Sequence, residues 1–237
     1  MALPTINTPT YELVVPSTDE KIKYRPFLVK EEKILMIAME SQDEKNIINA
    51  VKEIVTACTF GSLKPSGMPM FDIEYIFLNI RAKSVGETSK IKLKCPDDNE
   101  TFAEVEIDLT EVNVQVNDNH TNKIELSDDM GIIMKYPSLG SFLTSGISKV
   151  NAENMIDVIS SCILQIYEKG GEVIYEAKDS TKKELNDFVE QCSAKQFLKI
   201  QQFFDTMPSL KHTVTVKNPK TKVESEVTLS GLNDFFV

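Results

Sequence analysis

The order of apolar and polar positions along the 237 residues predicts helices and strands in alternating groups. Residues 90–94 (KIKLK) and 102–109 (FAEVEIDL) alternate apolar and charged side chains, which indicates strands with one buried face. Elsewhere apolar residues recur at every third or fourth position, which indicates amphipathic helices. The pattern predicts an α+β fold of amphipathic helices packed on antiparallel β-hairpins.

The first part of the chain predicts one hairpin followed by three helices, at residues 11–25, 30–40, 44–58 and 72–84. Ser41 and Glu44 have the spacing of a capping box, in which each side chain bonds a backbone N–H at the helix start. The second helix is predicted to bury one face, formed by Ile47, Ile48, Val51, Ile54, Val55 and Cys58. That face is expected to pack against the third helix, which opens at Asp72 and turns Ile73, Ile76, Phe77 and Ile80 inward.

The second part predicts further strands at residues 112–116, 123–126, 132–135 and 172–176. A regular apolar stripe predicts one long helix that ends at Gly170 and Gly171; its members are Met155, Ile156, Ile159, Cys162, Ile163, Ile166 and Tyr167. Two more capping boxes, Thr181 with Glu184 and Ser193 with Gln196, predict two helices. A hairpin formed by residues 212–216 and 224–229 closes the chain.

The two later hairpins resemble each other, because each runs an alternating strand into an X-Pro turn, at Cys95-Pro96 and at Asn218-Pro219. A duplication would give two similar α+β lobes, divided around residues 138–150. Residues 1–137 would form the N-terminal lobe and residues 138–237 the C-terminal lobe. Chance recurrence is the alternative, since alternating strands are common.

Charge and apolar content exclude several classes of partner. The net charge of −10 repels phosphate groups, so we expect no nucleic-acid partner and no binding to an anionic membrane. The longest apolar run, residues 34–39 (ILMIAM), is far below the ~20 residues needed to span a bilayer. The N-terminus shows no secretory signal. The four scattered cysteines fit a reduced, intracellular setting.

The residues that could carry chemistry do not form a recognisable site. Cys95 resembles half of a zinc ribbon but has no second ligand nearby, whereas zinc takes paired ligands. His120 lies in a polar loop, His212 begins a strand, and the acidic residues 97–100 have the composition of a turn. Residues 139–146 lack the lysine of a phosphate-binding loop. We therefore expect no catalytic residue, no metal and no cofactor; an uncharacterised enzyme or metal-binding regulator is the alternative.

Two segments are candidates for partner binding. Leu232, Phe235 and Phe236 form an apolar C-terminal end, and two adjacent phenylalanines on a short helix cannot both face one side. The alternative is that both rings cover the protein's own core. Tyr136 and Ser138 are candidate contact residues; alternatively Pro137 ends a strand, Ser138 caps a helix and Tyr136 is partly buried.

Strings along nearly the whole chain resemble one viral family. They are residues 24–33 (YRPFLVKEEK), 71–87 (FDIEYIFLNIRAKSVGE), 134–138 (MKYPS), 218–221 (NPKT) and 229–236 (LSGLNDFF). The chain is similar to the baseplate hub and hub-assembly proteins of T-even-type contractile-tailed bacteriophages.

The resemblance implies a non-enzymatic viral protein that acts in hub assembly through contacts with other hub proteins. A structural subunit of the virion tail baseplate is favoured, and an assembly chaperone absent from the mature virion is the alternative. Self-association is compatible with either role. The resemblance implies a location in the host cytoplasm during assembly, and in the tail baseplate if the protein is structural.

Overall fold

The computed structural model describes residues 7–141, 154–168 and 173–235. The chain divides into two compact units. Unit 1 comprises Met1–Pro65, Met70–Gln115 and Ser209–Val237, and unit 2 comprises Ser66–Pro69 and Val116–Pro208. Helices and small antiparallel sheets occur in both units, so the predicted α+β class is confirmed.

Most predicted elements are present, with shifted ends. The described helices are α1 (Val29–Glu40), α2 (Glu44–Cys58), α3 (Met70–Val85), α4 (Met155–Cys162), α5 (Lys182–Glu190) and α6 (Ala194–Asp205). The strands are β1 (Tyr11–Val14), β2 (Lys21–Tyr24), β3 (Thr88–Lys94), β4 (Phe102–Asp108), β5 (Asn113–Gln115), β6 (Lys123–Glu125), β7 (Met130–Met134), β8 (Ile163–Glu168), β9 (Ile174–Glu176), β10 (Ser209–Lys217) and β11 (Glu224–Ser230).

The most buried helix of unit 1 is α3. Its four predicted inward residues are buried, and so are Phe71, Asp72, Leu78 and Ala82 on its other faces. The helix packs against α2, as predicted. On α2, Val51, Ile54, Val55 and Cys58 are buried, whereas Ile47 and Ile48 are only partly buried. The periodicity of α3 thus identified only part of its buried surface.

Both X-Pro hairpins contribute to a single core in unit 1. That core contains Leu78, Ala82, Ile91, Cys95, Ala103, Ile107, Leu109, Val112, Leu210, Val214, Val216, Leu229 and Phe235. Strand β10 pairs with β11 on one side and with β5 on the other, where Leu210 lies opposite Val114. The closing hairpin therefore belongs with residues 70–115 and does not form a lobe with residues 138–208. The predicted boundary near residues 138–150 is not where the chain divides, and the duplication stays a prediction.

Unit 2 contains a four-stranded antiparallel sheet in the order β6-β7-β8-β9. Its core gathers apolar residues of the sheet and of α4, α5 and α6: Ile124, Leu126, Ile132, Met134, Ile159, Cys162, Ile163, Ile166, Val189, Ile200 and Phe203. The predicted capping boxes at Thr181 and Ser193 are confirmed: Thr181 accepts a hydrogen bond from Glu184 N (3.3 Å) and Ser193 accepts one from Gln196 N (3.4 Å).

The long helix predicted from residue 155 onward is wrong. Helix α4 ends at Cys162, and Ile163 is already extended (φ −69°, ψ 129°) as the first residue of β8. The register between β7 and β8 shifts there: Met134 lies opposite Ile163, but Ile133 lies opposite Gln165. Leu164 is thus an extra, exposed residue in the strand, as in a β-bulge. Gly170 and Gly171, the predicted helix end, lie outside the described residues.

The predicted capping box at the start of α2 is also wrong. The N-cap is Asp43, whose side chain accepts a hydrogen bond from Lys45 N (2.9 Å). Ser41 instead ends α1, and its hydroxyl donates to the carbonyl of Ala38 (2.7 Å). Gln42 takes a left-handed conformation (φ 52°) between them. Two capping residues lie close together in this sequence, and the second of them caps the helix.

Candidate partner-binding sites

The C-terminal segment is anchored by Phe235. After β11, residues Leu232–Phe235 form a 3-10 turn, closed by a hydrogen bond from Ser230 N to Asp234 Oδ2 (2.7 Å). Gly231 precedes the turn with φ 72°, a conformation that favours glycine. The Phe235 ring is fully buried in the unit 1 core. Phe235 is therefore a core residue and is not exposed for a partner, so its prediction as an anchor is wrong.

The other C-terminal candidates stay predictions. Phe236 lies outside the described residues, and so does the side chain of Leu232. Neighbouring side chains of a helical turn point in different directions, so the burial of Phe235 does not require Phe236 to be buried.

Tyr136 and Ser138 both have structural roles in unit 2. Tyr136 is partly buried and stacks on His120 and Phe203, with ring centroids 5.6 and 5.8 Å away. Ser138 Oγ accepts a hydrogen bond from Ser141 N (3.2 Å) at the start of a helical segment, as the structural alternative predicted. Tyr136 and Phe235 thus contribute to different cores.

The ring of His120 is held between two hydroxyl groups. Its Nδ1 lies 2.9 Å from Thr206 Oγ1, and its Nε2 lies 3.0 Å from the hydroxyl of Tyr136. The Thr206 hydroxyl donates to the carbonyl of Gln202, so it accepts the Nδ1 proton, and Tyr136 donates to Nε2. Burial lowers the pKa of His120. These contacts hold a neutral imidazole in place, and no motif around His120 predicted them.

The two X-Pro turns are joined by Asn218. Its fully buried side chain donates to Asp97 Oδ1 (2.9 Å) and Asp98 Oδ2 (3.0 Å). Thr221 also donates to Asp97. The acidic turn thus binds the second hairpin. Within the described ranges, no group of three or more His, Cys, Asp or Glu side chains could hold a metal ion.

The cysteines are buried or partly buried, and for Cys58 and Cys162 this agrees with the apolar stripes in which they occur. Cys58, Cys95 and Cys162 are buried, and Cys192 is partly buried. Burial raises the pKa of Cys58 and of Cys162 to about 11, so both thiols are neutral at pH 7. They behave as small hydrophobic side chains.

Helix α1 exposes most of its apolar side chains. Ile34, Met36, Ile37 and Met39 have exposed fractions of 36%, 57%, 57% and 44%, and only Glu31 and Ala38 of the helix are buried. We call these four side chains the α1 patch. The predicted helix at residues 30–40 is present, but its apolar run at residues 34–39 was not predicted to be exposed; no described helix is long and apolar enough to cross a bilayer. The feature of the sequence that could have indicated a surface patch is the unbroken apolar run at residues 34–39.

Comparison with known proteins bears on the whole chain. The model of a family described as T4 bacteriophage base plate protein matches residues 8–237. The chain belongs to this family. A search of curated proteins and a search of solved structures each found no match. Membership in the T4 base plate family supports a structural or assembly protein of the phage baseplate, with other baseplate proteins as partners.

Two of the strings that carry the family resemblance contribute buried residues to the fold. Residues 71–87 form most of α3. Residues 24–33 include the buried Tyr24 and the ion pair from Arg25 to Glu31 (2.9 Å), in which the Glu31 carboxylate also accepts a hydrogen bond from Leu28 N. Phe27 N donates to Ser84 Oγ (2.9 Å), which joins the two strings. The resembling strings therefore include residues that maintain the fold, and the resemblance itself assigns no residue to a partner contact.

Proposed function

We propose that this base plate protein acts at the central hub of the baseplate, in hub assembly, through protein–protein contacts. The observation that carries the proposal is the family match over residues 8–237. The hub itself is supported by the resembling strings, which run from residue 24 to residue 236. A structural subunit that stays in the virion is favoured over an assembly chaperone.

We further propose that the protein has no enzymatic activity. Support comes from the structural roles of the side chains that were candidates for chemistry. His120 is held between Thr206 and Tyr136, and the Asp97 and Asp98 carboxylates bind Asn218. These groups are engaged in hydrogen bonds that maintain the fold. In this proposal the protein assembles in the host cytoplasm and reaches the virion as part of the tail.

Within this function, Leu232 and Phe236 are the proposed anchor for a hub partner. The acidic surface limits non-specific association, so an apolar anchor would supply the affinity. Phe236→Ala is expected to keep the melting temperature of the isolated protein and to weaken partner binding about thirtyfold, because a buried interface aromatic commonly contributes about 2 kcal/mol. Hub assembly in infected-cell extracts is the readout.

Phe235→Ala is the matched comparison, since it removes the neighbouring ring from the core. We expect it to lower the free energy of unfolding by about 3–5 kcal/mol. A collapse of the melting temperature in Phe236→Ala as well would show that both rings are core, and the anchor proposal would then fail.

Mass spectrometry of purified virions tests the wider proposal. A structural subunit is expected in the tail in fixed proportion to the other baseplate proteins. A chaperone would be absent from virions, while deletion of its gene would still prevent hub assembly. Normal hubs in a deletion phage would contradict both forms of the proposal.

A further inference from the structure

The α1 patch is an unusual surface for a chain with this charge. Its four large apolar side chains lie within six consecutive residues, whereas exposed apolar residues on monomers are usually scattered. Two of the four are methionines, which are over-represented at binding surfaces. Ile34 and Ile37 also line a groove between α1 and α2, so the patch continues into a concave surface. A contiguous patch of this kind indicates an interaction surface.

The order of residues along the patch is symmetric about a point between Met36 and Ile37. Ile34 and Met39 lie at equal distances from that point, and so do Lys33 and Glu40. Helical spacing places Lys33, Met36, Ile37 and Glu40 on one face of α1. An interface across a two-fold axis uses the same surface of both copies, so it requires a self-complementary surface. This face meets that requirement.

Charge complementarity selects the antiparallel arrangement. With α1 antiparallel to its copy, Lys33 of each copy lies beside Glu40 of the other, and the apolar residues meet in the middle. Neither Lys33 nor Glu40 forms an ion pair within the part of the chain that the structure describes. Glu40 occupies the last turn of α1, where the helix dipole disfavours a negative charge and no basic residue is present. A lysine from a second copy would neutralise it.

We propose that the protein forms a dimer in which the faces Lys33–Met36–Ile37–Glu40 of two copies pack antiparallel. The pairing goes beyond the proposed hub function and does not depend on it. A second copy fits better than an unrelated partner because the symmetric sequence supplies both halves of the contact. The long-range repulsion between two chains of net charge −10 is opposed by a patch whose flanking charges are of both signs.

Sedimentation of the purified full-length chain over a range of concentrations tests the dimer. The wild type is expected to show a monomer–dimer equilibrium. Ile37→Ser is expected to raise the dissociation constant about tenfold or more, because it removes a central apolar contact. The side chain of Ile37 is exposed, so the melting temperature should not change. A wild type that stays monomeric at every concentration would overturn the proposal; if Ile37→Ser then weakened binding to another baseplate protein, the patch would serve that partner.

Charge reversal tests the antiparallel register. Lys33→Glu and Glu40→Lys are each expected to weaken the dimer by about fivefold, since each places like charges together twice. The double variant Lys33→Glu/Glu40→Lys restores opposite charges and is expected to return the dissociation constant to near the wild-type value. Lys92→Glu, at an exposed position of β3, is the control for net charge and should leave it unchanged. Failure of the double variant to restore the dimer would contradict the antiparallel pairing.

Discussion

At the scale of single residues, His120 shows how a polar loop residue becomes part of a core. The ring stacks on Tyr136 and lies 5.2 Å from the ring of Phe203, while both of its nitrogens are hydrogen-bonded. Protonation of Nε2 would remove the acceptor for the Tyr136 hydroxyl. The contacts that keep this histidine neutral therefore also couple the stability of unit 2 to pH.

We predict that His120 titrates below the ordinary value of about 6.5. Because burial lowers the folded-state pKa, the associated stability is complete above the unfolded pKa and is lost as the pH falls through the folded-state pKa. An NMR titration would measure this, with the signal assigned by its absence in His120→Gln. On acidification, the melting temperature of His120→Gln should also decrease less than that of the wild type. A midpoint above 6.5 would contradict the prediction.

Gly131 marks a position where two strands of the unit 2 sheet leave no room for a side chain. It lies opposite Tyr167, whose ring occupies the space that a Cβ would need, and the carbonyl oxygen of Ile124 would lie 2.8 Å from that Cβ. Gly131→Ala is predicted to lower the free energy of unfolding by about 1–3 kcal/mol. The measurement is chemical denaturation.

Gly67→Ala is the control for Gly131→Ala, because a Cβ at Gly67 would meet no atom within 4 Å. It should leave the free energy of unfolding unchanged or raise it slightly. Tyr167→Leu in the Gly131→Ala background should recover part of the loss, and an absence of recovery would show that the steric conflict is with the backbone of Ile124.

At the scale of elements, the sequence predicted α2, α3 and both X-Pro hairpins because each carries one regular period. The helix predicted through Ile163 was wrong for a physical reason. The bulge at Leu164 turns Ile163 and Ile166, three residues apart, toward the same core, and a spacing of three is also that of a helix. Periodicity cannot separate these two cases. Periodicity also cannot show that the α1 patch stays exposed, because its exposure depends on whether another element of the fold packs against it.

The connection between the two hairpin turns gives a prediction at this scale. Asn218→Ala removes the donor to Asp97 and Asp98 and the acceptor for Lys220 N (2.8 Å), so it should lower the free energy of unfolding by about 2–3 kcal/mol. Asn113→Ala is the control, since Asn113 is exposed and makes one local bond.

The effect of Asn218→Ala should depend on pH. Hydrogen bonds, the first from Asn218, hold the pKa of Asp97 below its ordinary value. That contribution is present above the unfolded pKa of about 3.8 and is lost as the pH falls through the lower folded-state value. Chemical denaturation should therefore show a larger difference in the free energy of unfolding between wild type and Asn218→Ala at neutral pH than in acid. An equal separation at both would show that Asp97 is not involved.

At the scale of the whole molecule, unit 1 is built from both ends of the chain and unit 2 from its middle. Residues 209–235 supply Leu210, Val214, Val216, Leu229 and Phe235 to the unit 1 core. Burial of each such side chain contributes about 1.5–3 kcal/mol, and together they approach the whole stability of a typical domain. The sequence did not predict this division, because no local pattern reveals that β10 pairs with β5.

We predict that a chain ending at Pro208 loses the structure of unit 1 and keeps that of unit 2. Hydrogen exchange should show lost protection in α3 and in the β3–β4 hairpin, with protection retained in β7, β8 and α6. A full-length Phe235→Ala chain should show a smaller loss, in unit 1 only. Protection of β3 and β4 in the shortened chain would contradict the division of the core described here.

The pairing of β5 with β10 also sets an order of events during synthesis. Residues 116–208 are synthesised before Ser209 is added, so unit 2 has all of its residues first. At about 5–20 residues per second, the strands that complete unit 1 follow within a few seconds. During that interval α3 and β3–β4 lack the residues that cover them, including Leu210 and Phe235. A prematurely terminated chain would therefore carry a folded unit 2 beside an unfinished unit 1, which makes complete translation a condition for presenting the surface of unit 1 to other baseplate proteins.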